Sequence, residues 1–338
     1  MTEPWYAPGP HPVADGVHRI PLSLPDDGLR AVNTFVIEGG DGIVLVDPGQ
    51  YGPLAHEELN AGLAALGHDL SDVRRCLATH VHRDHYSHAV ALRRELGAPV
   101  SLGEHERASL AAVRVSRTYG IDPQLRALPL CGAPELVADL DVSKAGHGLP
   151  NDIWEDPDVW LADGDVIELA SRTLHVTHTP GHTAGHVTLH DREAGLLFSG
   201  DHVLPRITPS IGFEPVATRL PLADFLASLR NTGAQPDAVL AAAHGPVTDS
   251  AHDRVAELLV HHDRRLALTL ERAQSGASTV RAVADGLRWT RRERTLTELD
   301  PFNRMLAIME TKVHLDVLVD RGELARCEEH GLLRYNSP

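Results

Sequence analysis

Four side chains able to hold a metal crowd into six residues of this chain. The stretch T-H-V-H-R-D-H at 79–85 carries His80, His82, Asp84 and His85, directly after the short apolar run VRRCLA. That run reads as a buried strand leading into a loop. On an extended segment, side chains at i and i+2 point the same way, so His80 and His82 can face one ion. Asp84 and His85 follow the turn and can face another. Histidine is abundant here, with 22 residues, so any single one is weak evidence. Their order is what constrains the fold. His182 sits in a Gly-bounded turn in TPGHTAGH (179–186), Asp201 ends an apolar run in SGD (199–201), and His244 ends another in AAAHG (241–245). Such strand-to-loop transitions converge only if several buried strands stop at one edge.

The rest of the pattern agrees. VHRIPLSL, NTFVIEGG and GIVLVDPG read as strands within 17–49, and residues 53–66 have helical spacing. Residues 86–96 predict the next helix and 99–103 a further strand. Residues 104–158 read as a helical insertion with loops. Short strands then resume through VWLADGDVIELA, TLHVTHTPG, HVTLHD and GLLFSGD. RLPLADFLASLRN is an amphipathic helix, and AVLAAAHG is one more buried strand. Two β regions with helices outside suggest an αββα sandwich over residues 1–250, an α+β architecture. From 251 the pattern becomes three helices and a two-stranded hairpin, the outline of a small winged-helix-like domain over 251–338.

The succession HxHxDH, His, Asp, His, carried by NTFVIEGGDGIVLVDPG, THVHRDH, TPGHTAGH, FSGD and AAHG between residues 33 and 245, resembles the metallo-β-lactamase superfamily. The resemblance implies that His80, His82 and His182 hold a first metal, that Asp84, His85 and His244 hold a second, and that Asp201 bridges both. Asp47, in the DPG turn, resembles the aspartate that orients a ligand without binding metal. Two Zn2+ are implied, with Fe or Mn as alternatives. Histidine at 82, where the flavodiiron branch carries glutamate, favours zinc hydrolysis over iron redox chemistry. His88, His178, His186 and His202 are expected to support the ligands. HHDRRLALTLERA, TVRAVADGLRW and KVHLDVLVDRGEL resemble the winged-helix appendage of the lactamase-β-like branch, which includes thioesterases and a single-stranded RNA endonuclease. The motif core also resembles glyoxalase II.

Two adjacent metals would lower the pKa of a shared water and polarise a carbonyl, giving a dinuclear hydrolase with a bridging hydroxide. Asp84 is the candidate catalytic residue, orienting that hydroxide and shuttling its proton. The expected substrate is an acyl thioester, ester or lactone. The alternatives are a phosphodiesterase or single-stranded RNA endonuclease, and a metal-sensing DNA-binding regulator that uses the winged helix. Charge decides the order. The chain carries a net −16, and residues 251–338 balance 14 basic against 14 acidic side chains, so the whole acidic surplus lies in residues 1–250. That opposes phosphate-backbone binding. The one basic anchor is Arg288, Arg291, Arg292 and Arg294 around Trp289. The expected partner is therefore a small acyl molecule and not a nucleic acid, with a homodimer allowed. Candidates for the substrate pocket are Tyr119, Trp154 and Trp160 in and beside the insertion, which either caps the site or packs as an ordinary helical insertion, and Ile207 in the loop after Asp201. Cys76, Cys131 and Cys327 form no disulfide framework or thiolate metal motif. The N-terminus MTEPWYAPGPHP lacks a secretory pattern, and no segment reads as a membrane span, so a cytoplasmic location is expected.

Overall fold

The computed structural model describes residues 3–25, 28–116, 120–140 and 149–338. Tyr119 lies outside them. Two sheets form the centre. The first runs in chain order through β1 (His11–Ala14), β2 (Val17–Ser23), β3 (Ala31–Gly39), β4 (Gly42–Val46), β5 (Val73–Leu77), β6 (Val100–Gly103) and β7 (Val159–Leu161). The second contains β8 (Val166–Glu168), β9 (Thr173–His178), β10 (Val187–Asp191), β11 (Leu196–Gly200) and β12 (Val239–Ala242), in the order β12-β11-β10-β9-β8. The chain crosses from one sheet to the other between Leu161 and Val166.

Strand alternation assigns the faces. Phe35 and Ile37 point between the sheets with Leu196 and Phe198, and the Phe35 and Phe198 rings meet edge to face at 5.2 Å. Val32 and Val36 point the other way, onto α1 (Pro53–Ala65) and α2 (Arg83–Leu96), through Leu59, Leu63, Ala89 and Val90. On the second sheet Leu197 and Leu240 face outward onto α6 (Pro221–Ala234), through Phe225 and Leu229. Each fully buried Leu or Phe contributes about 1.5–3 kcal/mol. A one-residue slip would turn a whole strand's set to the wrong side, so the register is strongly determined. The αββα sandwich follows.

Helix α2 begins at Arg83, with His82 as its N-cap, and not at residue 86 as the spacing predicts. The metal-ligand-type side chains hide the apolar period there. Asp84 and His85 therefore stand on the first helical turn, where a carboxylate is favoured by the helix dipole.

The insertion divides between two cores. Leu110 and Val113 of α3 (Arg107–Val115) pack with Ile153 and Trp154 against the first sheet's outer layer. Leu128 of α4 (Asp122–Leu130) and Leu136 of α5 (Glu135–Asp139) pack instead with the C-terminal helices. Those are α7 (Ala251–Gln274), α8 (Val280–Asp285) and α9 (Pro301–Asp320), followed by the hairpin β13 (Ala325–Glu329) and β14 (Leu332–Asn336). Ser250 caps α7 by accepting from the Asp253 amide at 3.1 Å, and Asp300 caps α9 by accepting from Asn303. No helix among the described residues is long and apolar enough to cross a membrane.

Candidate metal centre

The ends of β5, β11 and β12 meet at one rim of the sandwich, and every predicted ligand lies there. His80 follows β5, His82 caps α2, and Asp84 and His85 occupy the first turn. His182 sits in the β9–β10 turn, Asp201 follows β11, and His244 follows β12. Backbone bonds lock these ends together. The Val187 amide donates to Thr79 O at 2.9 Å, and the Ala243 amide to Gly200 O at 3.1 Å. Asn33, fully buried in β3, donates from Nδ2 to Ala242 O and Gly245 O, each at 2.8 Å, and so fixes the turn bearing His244. Sequence reasoning missed Asn33. Its signal was a carboxamide side chain within a largely apolar strand.

Two triads result. His80 Nε2 and His182 Nε2 lie 2.9 and 3.0 Å from His82 Nδ1. Asp84 Oδ2 lies 3.7 Å from His85 Nε2 and 3.4 Å from His244 Nε2. Asp201 faces both sets. Its Oδ2 is 3.5 Å from His182 Nε2, while Oδ1 is 3.7 Å from His85 Nε2 and 3.4 Å from His244 Nε2. Each triad places its ligand atoms within 4.8 Å of one another.

The donor set fits a divalent cation. His85 Nε2, His244 Nε2 and Asp201 Oδ1 are buried without a hydrogen-bond partner, and all three point into the cluster. Such atoms are costly unless something positive compensates them. Burial, then the neighbouring imidazoles, hold His80 and His82 well below the ordinary histidine value. Burial thus favours the neutral imidazole, which has one ring nitrogen with a lone pair to offer an ion and one N–H. Burial also opposes a charge on His85, but the carboxylates of Asp47, Asp84 and Asp201 outweigh it and push it up to about 10. The acidic half of the cluster demands positive charge, which a metal would meet.

The opposite ring nitrogens are anchored, the usual arrangement behind metal-binding histidines. His182 Nδ1 donates to Ser210 O at 2.9 Å and His244 Nδ1 to Ala31 O at 2.8 Å. His85 Nδ1 lies 3.0 Å from Asp47 Oδ2. Asp47 also accepts from the Thr79 amide at 2.8 Å and from Thr79 Oγ1. It stands at φ 51°, a strained left-handed conformation for a non-glycine residue. The aspartate expected to orient a ligand is thus beside His85. Replacing Asp47 with alanine should weaken zinc binding at the Asp84–His85–His244 triad by about 10–100-fold. Chelator competition would measure this, and an unchanged affinity would remove Asp47 from the centre.

The supporting histidines also have definite places. His186 Nε2 accepts from the Asp201 amide at 3.1 Å, while its Nδ1 pairs with Thr179 Oγ1 at 2.9 Å. His88 donates to Pro48 O, His178 to Ala184 O, and His202 pairs with Thr232 Oγ1. Ser199 donates to Val203 O.

The substrate-pocket candidates fare differently. Trp154 is buried in the core against the first sheet, and Trp160 lies beneath the Arg107 guanidinium at 4.0 Å. Both are spent on packing, Trp154 beside the turn that folds onto α2 and α3, and Trp160 in the edge strand β7. Ile207 is exposed on the loop after Asp201, with its carbonyl held by Arg254. Two other aromatic groups lead away from the candidate ligands. Phe213 packs against His82 with ring centroids 6.2 Å apart, and Phe302, at the start of α9, meets Phe213 edge-on at 5.5 Å. Phe213 and Phe302 lie 89 positions apart in the chain, which hid that pairing. In the basic run, Arg288, Arg291, Arg292 and Arg294 are exposed. Trp289 is buried beneath Arg265 and donates its indole N–H to Ala284 O, so its ring is not a stacking platform.

Comparison with known proteins agrees with this geometry. The family profile described as "Metallo-beta-lactamase superfamily" matches residues 27–251. The acyl-coenzyme A thioesterase MBLAC2 of Gallus gallus is 30% identical over 206 residues, covering 59% of this chain and 66% of that one. Its Homo sapiens counterpart is 29% identical over 204 residues, covering 59% and 67%. The chain thus spans about two thirds of the length of these curated relatives. Among solved structures, a metallo-beta-lactamase family protein from Thermus thermophilus superposes with a TM-score of 0.80 at 29% identity, covering 96% of this chain and 99% of that one. A beta-lactamase domain protein from Burkholderia ambifaria gives 0.79 at 25%, covering 97% and 94%.

Proposed function

This chain belongs to the metallo-beta-lactamase superfamily, and from that premise we propose that it is a two-metal hydrolase of acyl thioesters, or of esters and lactones presenting the same carbonyl. His80, His82 and His182 would hold one ion, Asp84, His85 and His244 the other, and Asp201 would contact both. Zinc is the ion this donor set suits, with iron or manganese as alternatives. When bound, the ions supply Lewis acidity that lowers the pKa of a water and polarises the substrate carbonyl. The chain's own residues do the rest. Asp84 Oδ2, close to His244 Nε2, is placed to accept the proton of the attacking water. The water oxygen adds to the acyl carbon, the C–S bond breaks, and the thiolate leaves without needing a general acid.

The aromatic pair Phe213–Phe302 carries the choice of an acyl substrate. It extends from His82 to the exposed tip of α9, where Phe302 is 36% exposed. An alkyl chain laid along it would leave the carbonyl at the metal ligands. The named activity of the MBLAC2 relatives supports the same substrate class. A nucleic acid would need a basic track to the centre, and the burial of Trp289 leaves the Arg288–Arg294 run without an aromatic platform. A winged-helix role for the C-terminal helices would concern packing of this wall and not DNA.

Purified protein assayed with acyl-coenzyme A thioesters of increasing length, lactones, bis-p-nitrophenyl phosphate and single-stranded RNA tests the assignment. Thioester or activated-ester turnover is expected, and RNA cleavage without ester turnover would overturn it. Phe213→Ala and Phe302→Ala should each raise KM for a dodecanoyl thioester by about tenfold, the loss of roughly half a buried aromatic's transfer free energy. KM for an acetyl thioester and the metal content should hardly move. Equal effects on short and long acyl groups would place the chain elsewhere.

A further inference from the structure

The loops that carry the ligands also meet at two buried glutamates that the chemistry above leaves without a role. Glu106 ends the short turn after β6 and is fully buried, and Glu214, on the loop after Asp201, is 1% exposed. Glu106 Oε1 accepts from the Val81 amide at 3.3 Å and from Thr183 Oγ1. Val81 lies between His80 and His82, and Thr183 follows His182. One carboxylate oxygen therefore joins the two segments that carry the whole first triad. Glu214 Oε2 accepts from the Ala184 amide at 2.6 Å. Its own loop supplies Ser210 O to His182 Nδ1, and Gln124 of the insertion pins that loop at Gly212 O and Glu214 O, at 3.3 and 3.1 Å.

The fit between these pieces is tight. A Cβ on Gly185 would stand 2.2 Å from the Glu106 amide nitrogen, and one on Gly103 would stand 2.1 Å from Gly185 O. The His182 loop is thus seated directly on the turn that presents Glu106. Glu106 Oε2 and Glu214 Oε1 have no hydrogen-bond partner, and among the described residues no Lys or Arg pairs with either carboxyl. Burial pushes Glu106 up to about 7. Burial, then the charge of Glu106 and further that of Asp224, push Glu214 up to about 9. Two such groups within electrostatic reach of each other favour keeping a proton between them, and a carboxyl carrying it can donate where a carboxylate cannot.

We propose that Glu106 and Glu214 are positioning residues for the first metal site, fixing the spacing of His80, His82 and His182 by tying together the three loops that surround them. The inference rests on the metal reading of the site and concerns how tightly, not whether, an ion is held.

The test uses the full chain loaded with zinc, with affinity measured by chelator competition and the thermal midpoint of the metal-free protein measured beside it. Glu106→Ala should weaken one of two zinc equivalents by about 10–100-fold. Glu106→Gln, which keeps the Oε1 acceptor and replaces the other oxygen with a neutral donor, should stay within about threefold of the parent. Thr183→Val removes only the hydroxyl contact and should weaken the same equivalent several-fold, which keeps the proposal testable if Glu106→Ala does not fold. Unchanged affinity in a folded Thr183→Val or Glu106→Ala protein, with only the metal-free midpoint lowered, would overturn the proposal and leave the metal assignment intact. A parent protein that binds no zinc would instead overturn the metal assignment itself.

Discussion

Asp201→Ala is expected to empty both triads and to lower kcat/KM for acyl thioesters at least about a thousandfold, ~4 kcal/mol of barrier. Asp201 sends one oxygen to each side, Oδ2 toward His182 and Oδ1 toward His85 and His244. The loss is therefore shared, which no other ligand's removal would achieve. His82→Ala, by contrast, takes one nitrogen from the first triad alone and should release about one equivalent. Elemental analysis per chain, read beside turnover, separates the two. Full metal content in Asp201→Ala would show that the aspartate contacts neither ion.

Gly181→Ala should destabilise the folded protein by roughly 3–5 kcal/mol, the sum of overpacking and backbone strain. Gly181 stands at φ +137°, and an added Cβ would lie 2.5 Å from the Phe225 Cα and 2.7 Å from its amide nitrogen. Those are backbone atoms of α6, and the Phe225 side chain is fully buried, so nothing there can swing aside. The next residue is His182, and zinc content should fall with stability. Denaturant unfolding checks the first effect and metal analysis the second. A loss under about 1 kcal/mol would mean that the turn can shift without disturbing α6.

The candidate ligands were legible in the sequence through their order along the chain and their recognisable place, the ends of apolar strands, and not through the rarity of histidine. His182, Asp201 and His244 each end or follow such a run, and the fold carries all three to one rim. The DPG turn pointed to Asp47 but fitted a plain strand-ending turn equally well; the contact with His85 appears only in the fold. The start of α2 was not, since His82, Arg83, Asp84 and His85 have no apolar period to mark a helix. The aromatic residues misled for a different reason. Trp154 and Trp160 are near the motifs along the chain but are consumed by the core, whereas Phe213 and Phe302 come together only when α9 packs against the loop after Asp201. Glu106 and Glu214 sit in no motif that marks them in the sequence. Only the folded chain reveals that Glu106 has no exposed surface and that its partners flank metal ligands.

The way the C-terminal helices are packed bears on how such a protein can be dissected or inherited. Phe225 and Leu229 of α6 share one continuous core with Leu258 of α7, Met305 and Ile308 of α9, and Leu128 and Leu136 of the insertion. A cut near residue 250 would not release a smaller enzyme with a tail removed. It would open α6 to water along the face that steadies the His182 turn, and it would take away Phe302. The 88 residues after that point are thus not a detachable module that could be shuffled between genes unaltered. A lineage that lost them would have had to rebuild the outer surface of the second sheet, and one that kept them can vary Phe302, at the start of α9, without altering any of the seven candidate ligand residues at the rim.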